Sequence, residues 1–234
     1  MLILALDTTT RAGSVALLRA GTVVHEHSGE ASRTHSERLP GDLMAACEAA
    51  GVAIREIDLF AVAAGPGSFT GLRTGIAAIQ GVATAVGRLV VPVSALEAIA
   101  LTAPPGTRRV AAWMDAQRGE VFAQVFDMDE QGSSARPLVD ALAATPAEAL
   151  TAHAALLDGA TFHGDGAARY AEQIRTSAHG AGAPHATAAP PLAGAIGRIA
   201  AHHPERAVRP HAVIPIYVRR PDVELARERR ALRA

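Results

Sequence analysis

The stretch Gly65-Pro66-Gly67-Ser68-Phe69-Thr70-Gly71-Leu72-Arg73-Thr74-Gly75 constrains this chain most. It follows the apolar run Leu59-Phe60-Ala61-Val62-Ala63-Ala64 and opens a helical pattern that continues to Val86, so it reads as strand, glycine-rich turn and helix. Two physical roles for the turn compete. Glycine and proline make a sharp turn whose exposed backbone N–H groups, at a helix N-terminus, seat an anion. Alternatively, small residues let another helix backbone come close. The spacing favours close packing, because Gly67, Gly71 and Gly75 recur every four residues on one face, with Ala78 nearby. It is not a P-loop, since all 22 basic residues are arginine and the Walker lysine is missing.

With 234 residues, 49% of them hydrophobic, the chain can bury a sizeable core as one large or two small domains. A formal net charge of -1 gives no electrostatic footprint for stand-alone nucleic-acid binding, so RNA contact is expected only when shared with a partner. The single cysteine, Cys47, excludes an internal disulfide and a thiolate zinc cluster and suits a reducing cytoplasm. No apolar run approaches the ~20 residues of a membrane span. Met1-Leu2-Ile3 enters a strand-like run without a basic leader, so no signal peptide is expected.

Leu2-Ile3-Leu4-Ala5-Leu6 ends at Asp7-Thr8-Thr9-Thr10, and Ser14-Val15-Ala16-Leu17-Leu18 follows the Arg11-Ala12-Gly13 turn: a β-hairpin with a polar tip. An Asp followed by hydroxyl residues can hold a metal-bound phosphate; equally, such residues satisfy a turn with no ligand at all. Thr22 to His27 adds a third strand and completes a meander. His25 and His27 share one face of it, without a third ligand at useful spacing, and read as solvated. Thr34-His35-Ser36-Glu37 fits a capping box before an amphipathic helix carrying Leu39, Leu43 and Cys47, kinked near Pro40 and stopped by Gly51. There is no His-Glu-x-x-His, so His35 reads as part of a helix cap rather than of a metalloprotease site.

Leu89-Val90-Val91-Pro92-Val93 is a further strand, and Ser94-Ala95-Leu96-Glu97 caps an alanine-rich helix, so a mixed sheet flanked by helices is expected. Ala103-Pro104-Pro105-Gly106-Thr107 marks a domain boundary, dividing the chain into 1–103 and 108–221 with an arginine-rich tail at 222–234. After it the pattern partly restarts. Val110 to Met114 leads into Asp115-Ala116-Gln117-Arg118-Gly119-Glu120 and the strand Val121 to Phe126, so Asp115 echoes Asp7 and points to a duplicated fold with a cleft between halves. Thr145-Pro146-Ala147-Glu148 starts a helix, and Phe162-His163-Gly164-Asp165-Gly166-Ala167 turns from strand to helix. Residues 176–191 read as a flexible loop, 192–201 as a short helix and 214–221 as an extended anchoring segment.

These residues together resemble the bacterial TsaB (YeaZ) family. The motifs are Leu4-Ala5-Leu6-Asp7-Thr8-Thr9-Thr10, His35-Ser36-Glu37-Arg38-Leu39, residues 65–75, Asp115 to Phe122, Gly164-Asp165-Gly166-Ala167 and Pro215-Ile216-Tyr217-Val218-Arg219. The glycine-rich stretch and the Asp115 motif are specific; the Asp7 hairpin is shared by a wider superfamily. The resemblance implies an α/β fold of two related subdomains of the actin, sugar kinase and heat-shock ATPase superfamily, ribonuclease H-like, with mixed sheets flanked by helices. It also implies a part in making threonylcarbamoyladenosine beside the anticodon of tRNAs reading codons that begin with adenine. Members are regarded as non-catalytic: they heterodimerise with TsaD, the metal-dependent transferase subunit, and an ATPase subunit, TsaE, completes the complex. TsaD's metal site uses a paired-histidine helix, and here His35 has no second histidine one turn on.

On this basis the chain is expected to be a scaffold with no cofactor of its own, ATP and magnesium entering at the level of the complex. Its partner interface is expected at Gly67, Phe69, Thr70, Gly71, Leu72, Arg73, Thr74, Gly75, Ala78 and Gln80, beside Leu39 and Leu43 of the preceding helix, with a homodimer formed in isolation. The alternative is a Mg-ATP-dependent enzyme in which Asp7, Thr8, Thr9 and Asp115 hold nucleotide phosphate across the cleft. A glycoprotease finds no nucleophile triad or zinc motif to support it.

Overall fold

The structure is a computed structural model that describes residues 1–177 and 190–219. Residues 178–189 of the expected 176–191 loop and the tail at 222–234 lie outside the described residues. The opening runs form the expected meander, β1 (Leu2–Asp7), β2 (Ser14–Arg19) and β3 (Thr22–Ser28). After α1 (His35–Ala49), β4 (Leu59–Gly65) adds parallel to β1, and after α2 (Phe69–Ala85), β5 (Leu89–Ser94) adds parallel to β4. The first sheet therefore has the order β3-β2-β1-β4-β5. Continuous apolar strands such as β4, buried along its whole length, are what a sheet covered on both faces requires.

The second half repeats the scheme. β6 (Arg109–Asp115) and β7 (Val121–Met128) make a hairpin, β8 (Ala135–Pro137) and β9 (Leu142–Ala144) extend it, and β10 (Thr161–His163) pairs parallel to β6 as β4 does to β1. Short helices α4 (Pro146–Ala152), α5 (Asp165–Arg169) and α6 (Ala171–Thr176) cover its outer face. Gly164-Asp165-Gly166, where β10 passes into α5, occupies the place of Gly65-Pro66-Gly67, where β4 passes into the turn before α2. The two related halves implied by the resemblance thus share the hairpin and the parallel strand beside it, while β8 and β9 both pair with β7 and, among the described residues, no strand follows β10 as β5 follows β4.

The expected boundaries need one correction. The helix ending the first half, α3 (Ala95–Leu101), packs on β6 and β7 of the second sheet, whereas the last helix, α7 (Ala193–His202), packs on β1, β2 and β4 of the first. Residues 193–202 therefore return to the half that 1–103 begins. The cause is apolar area: Ile3, Ala5, Ala61 and Ala63 on the inner face of the first sheet share one core with Ala195, Ile196 and Ile199 of α7 and with Met114 and Phe122 of the second sheet. The docking of α7 is directed by polar contacts, because the buried Ser14 Oγ accepts from the backbone N–H groups of Leu192 and Ala193 (3.1 and 3.0 Å) and Glu26 accepts from Gly194 N–H (2.7 Å). A second core, on the outer face of the first sheet, joins Leu4, Leu6, Phe60 and Val62 to Leu39 and Leu43 of α1 and Ile76 and Ile79 of α2. Pro40 lies inside α1, which runs unbroken from His35 to Ala49.

Candidate functional site

The two Asp-led hairpin tips face a cleft of about 1080 Å³ between the halves. Its walls include Thr9 and Thr10, the start of α1, residues 66–72 and 74, residues 114–118, and residues 216–219. Asp7 itself is 1% exposed and absent from that lining. Its carboxylate is used by the tip: Oδ1 accepts from Thr9 N–H (2.8 Å) and Thr9 Oγ1 (2.5 Å), Oδ2 from Thr10 Oγ1 (2.9 Å), and Thr10 Oγ1 in turn accepts from Gly13 N–H (3.1 Å). This is an Asx-type turn that satisfies a buried carboxylate from within. Three of the roughly four acceptor positions of the carboxylate are thus taken up within the tip, which leaves Oδ2 with one further lone pair.

Asp115 lines the cleft but is also engaged, accepting from Gln117 N–H (3.0 Å), Gln117 Nε2 (2.8 Å) and Arg169 (2.7 Å). Asp165 accepts from Asp115 N–H (3.1 Å) and Gly166 N–H (2.9 Å); burial pushes its carboxyl above the usual range, and the neighbouring Asp115 carboxylate adds to the shift. Among the described residues no three His, Cys, Asp or Glu side chains converge as metal ligands. His25 and His27 do share a face of β3, their ring nitrogens 3.2 Å apart.

His35, at the first helical position of α1, is wedged at the base of the first tip. Arg38 can only donate, so its 2.8 Å bond to His35 Nδ1 assigns the proton to Nε2, which donates to the Thr10 carbonyl at 3.1 Å. Burial first, and the Arg38 charge second, hold the imidazole below its ordinary pKa. Arg38, itself buried, also donates to Ala12 O and to Asp42. The capping box is present, with Glu37 accepting from Thr34 N–H at 2.8 Å. Leu39, one turn after His35, is buried in the outer core, where a paired-histidine site would need its second ligand.

The glycine-rich turn packs closely, as its spacing foretold, but against this chain. A Cβ on Gly71 would strike the Thr8 carbonyl, one on Gly75 would strike the Thr8 hydroxyl and lie 2.9 Å from its methyl, and one on Gly67 would lie 2.5 Å from Thr9 Cβ. The glycine face is filled by the Asp7 tip, with Thr8 buried inside it. Two N–H groups of the turn are likewise used internally, Ser68 N–H by Thr9 O (3.3 Å) and Gly71 N–H by Ser68 Oγ (3.3 Å). Access for a partner's backbone at these glycines is therefore corrected to an intramolecular contact.

Of the other residues expected at a partner interface, Leu39, Leu43 and Leu72 are buried within the chain, and Ala78 packs half-buried against the outer core. Gln80 is also turned inward, donating to the carbonyls of Pro210 (2.9 Å) and Val213 (3.4 Å). Phe69, Thr70 and Arg73 face outward, with Thr74 half-buried and donating to Thr70 O at 2.9 Å. The Arg73 guanidinium lies 3.8 Å from the Phe69 ring centroid and donates to the Tyr217 hydroxyl at 3.0 Å.

The outward face of the helix pair is a different one. On α2 it carries Thr70, Arg73, Ala77, Gly81 and Thr84; on α1 it carries Gly41, Met44, Ala45 and Glu48. A Cβ on Gly41 or Gly81 would meet nothing within 4 Å. This second small-residue face was legible at i, i+3, i+4 and i+7 spacing, but the stronger glycine period on the opposite side of α2 masked it.

The family model described as TsaD, tRNA N6-adenosine threonylcarbamoyltransferase, matches residues 22–214. Over 134 residues the chain is 39% identical to the tRNA threonylcarbamoyladenosine biosynthesis protein TsaB of Escherichia coli (strain K12), a match covering 56% of this chain and 58% of that protein. Over 126 residues it is 40% identical to the protein of the same description from Haemophilus influenzae, covering 53% of each. In these matches the chain spans about half the length of its curated relatives. YeaZ from Pseudomonas aeruginosa superposes with a TM-score of 0.73 at 31% identity, over 92% of this chain and 99% of that one. With the two duplicated halves, the glycine-rich turn closed on the Asp7 tip and these matches in hand, the chain belongs to the TsaB/YeaZ family, within the wider family of the threonylcarbamoyltransferase model.

Proposed function

We propose that this chain is a non-catalytic subunit in the formation of threonylcarbamoyladenosine in tRNA. It acts by heterodimerising with TsaD and supporting TsaE, meets tRNA only as part of that complex, works in the cytoplasm, and pairs with a second copy of itself when alone. The descriptions of its relatives support the pathway. The observation that carries the subunit role is the exposed face of α1 and α2, where Gly41, Ala77 and Gly81 leave room for another helix to come within backbone distance, with Met44 and Phe69 as exposed apolar anchors. The engaged states of Asp7 and His35 agree with a chain that lends shape rather than chemistry.

Gly81→Leu and Ala77→Asp test this directly. Each is expected to abolish co-purification with TsaD and tRNA modification by the reconstituted system while leaving the thermal midpoint of the isolated chain within ~4 °C, since both sites are exposed. Full modification by both variants would overturn the proposal.

A second reading, a Mg-ATP-dependent enzyme, is favoured by the cleft between the tips and by Asp115 in its wall. Titration calorimetry with Mg-ATP separates the two: heat that disappears in Asp115→Ala supports the enzyme, and no heat supports the scaffold.

A further inference from the structure

Residues 207–219 cross from one half of the molecule to the other along the mouth of the cleft. Val208 exchanges both backbone hydrogen bonds with Val90 on the free edge of β5 (3.0 and 2.9 Å), and Ile216 N–H donates to Ala64 O at the end of β4 (2.7 Å). Gly65 makes room for this passage, because a Cβ there would lie 2.5 Å from Ile216 O. Tyr217 then meets α2, its ring 5.5 Å from that of Phe69 and its hydroxyl bonded to Arg73. Two residues on, Arg219 reaches the other half, where it bonds the Glu120 carboxylate and lies 5.5 Å from the Phe122 ring centroid. Glu120 and Phe122 belong to the hairpin that carries Asp115.

We propose that this strap is a clasp that sets the separation of the two hairpin tips and ties it to the position of α2. The physical reason is its shortness. Two extended residues span about 7 Å, so while Tyr217 keeps its contacts on α2 and Arg219 its bond to Glu120, α2 and the second hairpin are tied through one short link. Val218 between them packs against the core shared by both halves, which stops the link from swinging outward. The Arg219–Glu120 pair is partly exposed, with side chains 25% and 36% accessible, so it adds little to global stability and its consequence is positional. Cleft opening and the tilt of α2 are thereby coupled within a single chain, whether or not a partner sits on α2.

The experiment is amide hydrogen exchange on the full chain, read at Ala116 and Glu120, whose N–H groups bond Glu120 O and Gln117 O inside the second hairpin. Arg219→Ala and Tyr217→Ala are each expected to speed exchange there about fivefold, the effect of releasing one restraint, while amides of the β2–β3 hairpin keep their native rates. The charge swap Arg219→Glu with Glu120→Arg is expected to restore protection relative to either single reversal. Unchanged exchange at Ala116 and Glu120 in Tyr217→Ala would overturn the clasp, as would equal acceleration at β2–β3, which would mark simple destabilisation. A swap no better protected than its single variants would do the same.

Discussion

At the scale of single residues, Thr8 links the two most constraining stretches of the chain. Gly71 faces its backbone carbonyl and Gly75 its side chain, and the two glycines should answer mutation differently for that reason. Each changed to Ala is expected to cost about 1–3 kcal/mol by overpacking. Thr8→Ala removes the hydroxyl and methyl that a Cβ at Gly75 would strike, so it should recover a good part of the Gly75→Ala loss and none of the Gly71→Ala loss. Urea denaturation of the double-mutant cycle measures both couplings.

Residue scale also sets a pH dependence. His27, His35 and His153 are all held below their ordinary pKa of 6.5, chiefly by burial. Their folded forms bind a proton less readily than the unfolded chain, so the stability they contribute is complete above about pH 6.5 and is lost as pH falls through their depressed folded values. Asp165 and Glu26, raised by burial, act in the opposite sense, their contribution being complete below their ordinary values of 3.8 and 4.5 and lost as pH rises through their raised folded values. The histidine contribution to unfolding free energy should therefore fall as pH drops from about 7.5 to about 5.5, and His153→Leu, which removes one buried imidazole, should make that loss smaller than in the parent chain, as urea denaturation at the two pH values reads.

At the scale of elements, the informative comparison is between the two faces of α2. The inward glycines are required by Thr8, whereas Gly81 has open space and no intramolecular reason to lack a side chain. Gly81→Ala is expected to stabilise the isolated chain by about 0.5–1 kcal/mol, the ordinary cost of glycine in a helix, while weakening association through the same face. Thermal denaturation and co-purification read the two effects separately. The opposite case is α7, whose first N–H groups depend on Ser14 Oγ. Ser14→Ala leaves two buried donors without an acceptor and should cost about 1–3 kcal/mol, with fast exchange confined first to the start of α7. Helix starts at Thr34, Ser94 and Thr145 were readable because a cap is satisfied within three residues. The acceptors of α7 lie in β2 and β3, about 170 residues upstream in the hydrogen-bond pattern, and no local signal announces them.

At the scale of the molecule, the crossing of α3 and α7 makes each half incomplete without the other. A fragment ending at residue 103 would expose the inner face of the first sheet where α7 belongs, so it is expected to bind a hydrophobic dye and lack dispersed amide resonances until the remainder of the chain is supplied. A fragment that folds cooperatively on its own would contradict this. The sequence by itself determined the strands β1 to β7, most helix starts and both Asp-led tips and pointed to the duplication, because alternation, capping and turn chemistry are settled among near neighbours; the three-residue strands β8 and β9 are too short to show a period. Only the tertiary structure decided what each face meets. Thr8, not a partner's helix, fills the glycine row; α7, not α3, covers the first sheet; and Asp7 closes its own turn beneath the cleft. Those outcomes depend on contacts between distant segments competing for the same apolar and hydrogen-bonding surface, and spacing along the chain carries no record of which segment wins.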